Sequence, residues 1–140
     1  MSHSKREGHC LCGRVTITAE KASDTVCACH CQSCRRWSGG PYIELECGDA
    51  VAFSGDEHIR VYDSSEWADR GFCGHCGTHL FYRLKAPGHY MVPVGLFTTD
   101  NDLAFERQVF VDEKPHYYDF ANSTDNLTGA ELFAKFGASD

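Results

Sequence analysis

Apolar residues along this chain fall in short runs that alternate with polar ones and break at Gly, Asp and Asn, a period nearer two than 3.6. Val15-Thr16-Ile17-Thr18-Ala19 and Ile43-Glu44-Leu45-Glu46 alternate most cleanly, which predicts strands with one buried and one wetted face. Comparable segments run from Thr25 to Cys31, Tyr42 to Cys47, His58 to Asp63, Arg70 to Cys73, His79 to Leu84, Tyr90 to Leu96 and Val109 to Val111. The pattern predicts a mainly β, mostly antiparallel fold. Helix signals are confined to a turn around Ser33 to Ser38 and a short C-terminal helix from Gly129 to Phe136. Leu132, Phe133 and Phe136 share one side of that helix, and Gly137 is placed to stop it. Asn122 to Thr128 reads as a surface loop. No repeat or linker divides the chain, so residues 1–140 are expected to form one domain.

Composition narrows the function classes. No run approaches the roughly 18 apolar residues of a membrane span, and no apolar stretch follows the basic residues near Met1, so a soluble, cytoplasmic protein is expected. With 13 Lys+Arg against 20 Asp+Glu the formal charge is −7, which argues against a sequence-independent nucleic-acid binder. Nine cysteines in a chain without a secretion signal point to metal rather than disulfides, since the cytosol keeps thiols reduced.

The cysteines fall into groups. Cys10-Leu11-Cys12-Gly13 and Cys73-Gly74-His75-Cys76-Gly77 are two short pairs about sixty residues apart, each followed by glycine. Four thiolates suit tetrahedral zinc, and glycine supplies the positive φ that a tight metal-binding turn needs. A metal joining two distant turns closes a long loop, so this group is expected to be structural. A Cys-x-x-Cys redox pair at Cys73 and Cys76 competes, but Thr78-His79-Leu80-Phe81 continues as strand where that motif opens a helix.

Cys27, Cys29, Cys31 and Cys34 crowd into eight positions. On an extended strand Cys27 and Cys31 would lie about 13 Å apart, whereas two cysteine ligands of one zinc have Cα atoms within about 9 Å. Cys29, Cys31 and Cys34 converge if the chain turns through Gln32-Ser33, leaving Cys27 one step too far back. Three thiolates leave a coordination position open, as catalytic zinc sites do; a Cys27 that swung in would close it. His30, His9 and His75 are ligands by type, yet His30 faces away from its neighbours on a strand. Arg35 and Arg36 follow the last ligand and could balance thiolate charge or hold substrate carboxylates. Trp37 is the aromatic best placed to line a cleft there.

These motifs, with Ser38-Gly39, Phe72, Thr78, a Val94-Gly95-Leu96 segment before an Asp-containing turn, and Val111-Asp112 to Tyr117, resemble the glutathione-dependent formaldehyde-activating family, which includes the centromere protein V domain. The resemblance implies a β-tent fold with two zinc ions. Cys10, Cys12, Cys73 and Cys76 would hold the structural ion, and Cys29, Cys31 and Cys34 the catalytic one. It implies addition of glutathione to formaldehyde to give S-hydroxymethylglutathione, a carbon–sulfur lyase reaction. Cys27 and Cys47 are extra thiols, and Tyr117 or Tyr118 stands where the family has a late tryptophan. Two other readings compete: a zinc-stabilised thiol- or partner-binding module without turnover, and a redox sensor using Cys27 and Cys47.

Overall fold

The computed structural model describes residues 3–97 and 102–136. Gly137 and residues 98–101, which include most of the expected Asp-containing turn, lie outside the described residues. Eleven strands and two helices follow in order: β1 His3–His9, β2 Thr16–Ser23, β3 Thr25–Cys29, α1 Gln32–Ser38, β4 Tyr42–Gly48, β5 Val51–Ser54, β6 Ile59–Asp63, β7 Ala68–Cys73, β8 His79–Leu84, β9 His89–Pro93, β10 Ala104–Val109, β11 Asp125–Leu127 and α2 Gly129–Phe136. The mainly β expectation is met.

A small antiparallel sheet, β1-β2-β5, leans on an eight-stranded sheet ordered β11-β10-β3-β4-β9-β8-β7-β6. The large sheet is antiparallel from β3 to β6 but parallel at its other edge, where β10 pairs with both β3 and β11. Alternation sorts the residues of each strand between two faces. Val15, Ile17 and Ala19 of the small sheet and its entry loop meet Leu45, Leu80, Phe81 and Val92 of the large one in a buried core. Phe53, Phe81 and Tyr90 close one end of it, with ring centroids 5.0 to 5.8 Å apart. The opposite face of the large sheet is free to line a cleft.

Local chemistry sets the helix boundaries. The Cys31 side chain caps α1 by accepting from the Cys34 N–H, and Gly39 ends the helix at φ 81° with its N–H on the Arg35 carbonyl. Thr128 and Glu131 form a reciprocal capping box at the start of α2, with Glu131 N–H on Thr128 Oγ1 and Thr128 N–H on Glu131 Oε1.

Four departures from the sequence pattern have physical reasons. The segment expected as a turn at Ser33 to Ser38 is a full helix. The expected loop at Asn122 to Thr128 contains β11, whose pairing is supplied by β10. The strand beginning at Thr25 ends at Cys29 rather than Cys31. β1 carried no hydrophobic signal because its buried positions are Arg6 and Gly8. Arg6 is tolerated inside because it donates to Asp24 at 2.9 Å and to Asp102 at 3.2 Å.

Gly71 on β7 sits directly beneath the Phe81 ring, and a Cβ there would run into ring carbons of a side chain already held by Phe53 and Tyr90. Gly71→Ala is expected to lower unfolding stability by about 1–3 kcal/mol through overpacking, measured by urea denaturation. A change within a few tenths would show that the ring can shift freely.

Candidate functional site

The loop between β1 and β2 and the turn between β7 and β8 are built alike. Gly13 donates its N–H to the Cys10 carbonyl and Gly77 to the Cys73 carbonyl, and both glycines have φ near +80°. Cys10 and Cys73 donate their own N–H groups to the Val15 and Thr78 carbonyls. The two turns bring the sulfurs of Cys10, Cys12, Cys73 and Cys76 within 4.8 Å of one another. The Cys10–Cys12 separation is 3.6 Å and Cys12–Cys73 3.9 Å, against about 3.8 Å for the edge of a tetrahedron with Zn–S bonds of 2.3 Å. Backbone N–H groups of Val15 and His75 point at the Cys10 and Cys73 sulfurs at 3.4 Å, as suits thiolates. This donor set fits a metal ion. His75 contributes only its backbone, and His9 turns its Nδ1 to the Cys10 carbonyl.

On the far side of the large sheet, β3 ends at Cys29 and the chain turns into α1. That turn brings the Cys29, Cys31 and Cys34 sulfurs within 4.8 Å of one another, and all three line a cleft of about 1000 Å³. Cys27 is not among them. It stays on the strand, its sulfur 3.9 Å from the Ala28 carbonyl, lining the same cleft two residues away. Cys47 is fully buried, and all nine cysteines are unpaired by disulfides.

When the three sulfurs carry protons, Cys31 is the one that ionises. Hydrogen bonds from the Cys29 thiol and then the Cys34 thiol hold it far below the ordinary thiol range, against its burial. The same bond to Cys31, then the one to Cys34, holds Cys29 far above that range. Three clustered sulfurs, two buried and that of Cys31 half-buried, suit a dication, which would favour their thiolate forms.

The nearest cation is Arg70, which the sequence pattern did not single out. It is buried on β7, with both guanidinium NH2 nitrogens 3.7 Å from the Cys34 sulfur. Its guanidinium carbon lies 5.0 Å from the Trp37 ring centroid and 4.7 Å from that of Tyr82. Trp37 in turn stacks on His79, the ring centroids 3.9 Å apart and the planes nearly parallel. Trp37 therefore buttresses Arg70 from behind instead of lining the cleft. Arg35 and Arg36 do not reach the sulfurs as expected: Arg35 Nε donates to the His30 carbonyl at 2.9 Å, and Arg36 is exposed.

His30 is fully buried on the opposite face from its cysteine neighbours. The Gln108 amide nitrogen donates to Thr124, so its oxygen accepts from His30 Nε2 at 2.8 Å, and His30 Nδ1 accepts from the Tyr118 hydroxyl at 2.8 Å. Burial lowers its pKa, keeping the ring neutral. It anchors the segment that crosses behind the cluster and is no ligand.

The remaining cleft wall includes Glu44 and Glu46 of β4, Met91 of β9, Tyr82 of β8, Arg107 and Val109 of β10, Lys21, and Leu132 and Phe133 of α2. A second, more open hollow of about 640 Å³ lies beside the four-sulfur turns, but no sulfur of the three-cysteine cluster reaches it. The cleft is therefore where a ligand can meet the three-sulfur cluster. Among the described residues no helix is long and apolar enough to cross a membrane.

Three similarities accord with this geometry. Residues 5–113 match the family described as glutathione-dependent formaldehyde-activating enzyme. The chain is 35% identical over 127 residues to an uncharacterized lyase of Schizosaccharomyces pombe, covering 90% of this chain and 93% of that protein. It is similar in structure to a Rhodobacter sphaeroides protein solved by crystallography, with a TM-score of 0.55 and 26% identity over 64% of this chain and 85% of that one. The matched span holds both cysteine clusters together with Arg70 and Glu44, and the chain belongs to the glutathione-dependent formaldehyde-activating enzyme family.

Proposed function

We propose that this protein is a zinc-dependent carbon–sulfur lyase that joins the thiol of glutathione to formaldehyde, giving S-hydroxymethylglutathione, and splits the same adduct in reverse. The observation that carries this reading is the three-sulfur cluster open to a cleft while Cys27 stays outside it. The four-sulfur cluster would hold a structural zinc through Cys10, Cys12, Cys73 and Cys76, and Cys29, Cys31 and Cys34 a second one. Bound at the second cluster, zinc would supply the positive charge that favours a thiolate over a thiol in the remaining position.

The chain's own groups do the rest. Arg70 balances the charge of the sulfur cluster and fixes Cys34, since a buried guanidinium needs an anion within reach. The cleft is in the size range of small-ligand sites. Lys21 and Arg107 on its wall offer positive charge to the carboxylates of a peptide thiol. Holding thiol and aldehyde together there gains from proximity. Free thiols in two metal-type clusters suit a reducing compartment, and we assign the protein to the cytoplasm.

Two zinc ions per chain are expected by elemental analysis. Cys34→Ser should retain its circular dichroism and fall to about one zinc, whereas Cys73→Ser should lose its fold. Equal unfolding of both variants would favour a purely structural role for both metals. Arg70→Met is expected to weaken zinc retention at the second site by about 10–100-fold, measured by chelator competition. For the reaction, exchange between formaldehyde and glutathione should run faster with protein than without it by NMR, and return to the spontaneous rate with Cys34→Ser. No acceleration by the wild type would remove this reaction.

A further inference from the structure

β4 runs through the interior of the large sheet, with Glu44 facing Cys27 of β3 on one side and Pro93 of β9 on the other. Two residues back on the same face, Tyr42 pairs with Cys29. Glu44 thus stands about 7 Å along the strand from the level of the sulfur cluster, on the wall of the cleft that the cluster opens into. The alternation that gives β4 a wetted face leaves this carboxyl half-buried in the wall of the cleft. Among the described residues it has no hydrogen-bond or ion-pair partner.

The groups that act on it electrostatically are Tyr42, Glu46 and Cys47 of β4, Cys27 of β3, Cys31 at α1, Arg70 of β7 and Tyr82 of β8, and the same cleft wall also carries Cys29, Cys34, Lys21, His89, Glu106 and Arg107. A carboxylate without a partner at such a position is costly, and a proton removes the cost. Burial first, then the charge of Glu46, push the Glu44 carboxyl up to about 8, with Arg70 pulling the other way. Three thiolates outweigh the charge of a dication, so a loaded cluster also repels a second negative charge. The neighbouring donors are poorer: burial, then Glu44 itself, hold the Cys27 thiol far above the neutral range, and burial does the same to Tyr82.

We infer that Glu44 is a catalytic acid and base of this cleft, giving its proton to the carbonyl oxygen of the aldehyde as the thiol sulfur adds, and recovering it when the adduct breaks. This rests on the thiol–aldehyde reading. In the forward step the sulfur electron pair forms the S–C bond and the carbonyl π pair moves to oxygen. That oxygen takes the Glu44 proton and becomes the hydroxyl. The carboxylate left behind is reprotonated by the proton that the next thiol releases on binding, so thiol plus aldehyde balances hydroxymethyl thioether. In reverse, Glu44 takes the hydroxyl proton as the S–C bond opens.

Two measurements on the zinc-loaded protein test this. In wild-type protein carrying 13C-labelled glutamate carboxyls, the signal lost in Glu44→Gln is expected to hold its proton at pH 7 and ionise near pH 8. A Glu44 already ionised at pH 6 overturns the proposal. In the NMR exchange assay the wild-type rate should fall above about pH 8. Glu44→Gln should lose about 10²–10⁴-fold in rate and the high-pH fall with it, at unchanged zinc content and unchanged glutathione binding. A variant with wild-type rate and pH profile, or one that loses glutathione binding instead, overturns the role. Failure of the wild type itself to accelerate exchange removes the thiol–aldehyde reading and this role together; failure confined to the variant comparison removes Glu44 alone.

Discussion

The two cysteine turns are the joint on which the rest of the molecule depends. One belongs to the small sheet, between β1 and β2, and the other to the large sheet, between β7 and β8. They meet at strand ends of the two sheets, where a metal would pin one to the other, and the buried core from Ile17 and Ala19 to Leu80 and Val92 lies beside that junction. A small domain has little apolar area to spare, and closing a loop of some sixty residues constrains the unfolded chain most where the two ends would otherwise wander apart. The small sheet covers one face of the large sheet as the core. The other face is released for chemistry.

That division explains why a strand as interior as β4 can carry glutamates. Leu45 points into the core while Glu44 and Glu46 line the cleft, so alternation along one strand separates packing from reactivity. The same holds on β3, where Ala28 is in contact with the hydrophobic side while Cys27 and Cys29 face the cleft. His30 completes the scheme. Its ring is satisfied by Gln108 and Tyr118 on the back of the sheet, which leaves the sulfurs on either side of it to turn the other way.

The seven clustered cysteines were readable in the sequence because each set lies in a short turn, where spacing determines reach. Strand rise placed Cys27 one step behind the other three while leaving open that it swings in, and its sulfur lies outside the group formed by Cys29, Cys31 and Cys34. Arg70, Tyr82 and Glu44 were not readable as neighbours, because they arrive at the cluster through cross-strand register, which leaves no local signature. β1 was hidden for a related reason: its inward positions are an arginine held by two aspartates and a glycine. α1 was read as a turn because its cap is a cysteine, outside the usual Ser, Thr, Asp and Asn. The parallel edge at β10 could not be foreseen either, since alternation reports which face is buried and not which strand lies alongside.

Arg70 and Glu44 share one cleft, yet no ion pair joins them. The reason lies in the aromatic rings. Trp37, braced by His79, and Tyr82 hold the guanidinium against themselves and aim its nitrogens at Cys34, so the cation is committed before a carboxylate can compete for it. Pairing of Arg70 with Glu44 instead would draw the carboxyl down toward the ordinary acidic range and leave the sulfur cluster without its counter-charge. Keeping the two apart yields two environments from one set of residues: a guanidinium that stabilises thiolate sulfur at Cys34, and a carboxyl whose pKa burial raises. On the proposed reaction, those are the two conditions that addition of a thiol to an aldehyde requires at once.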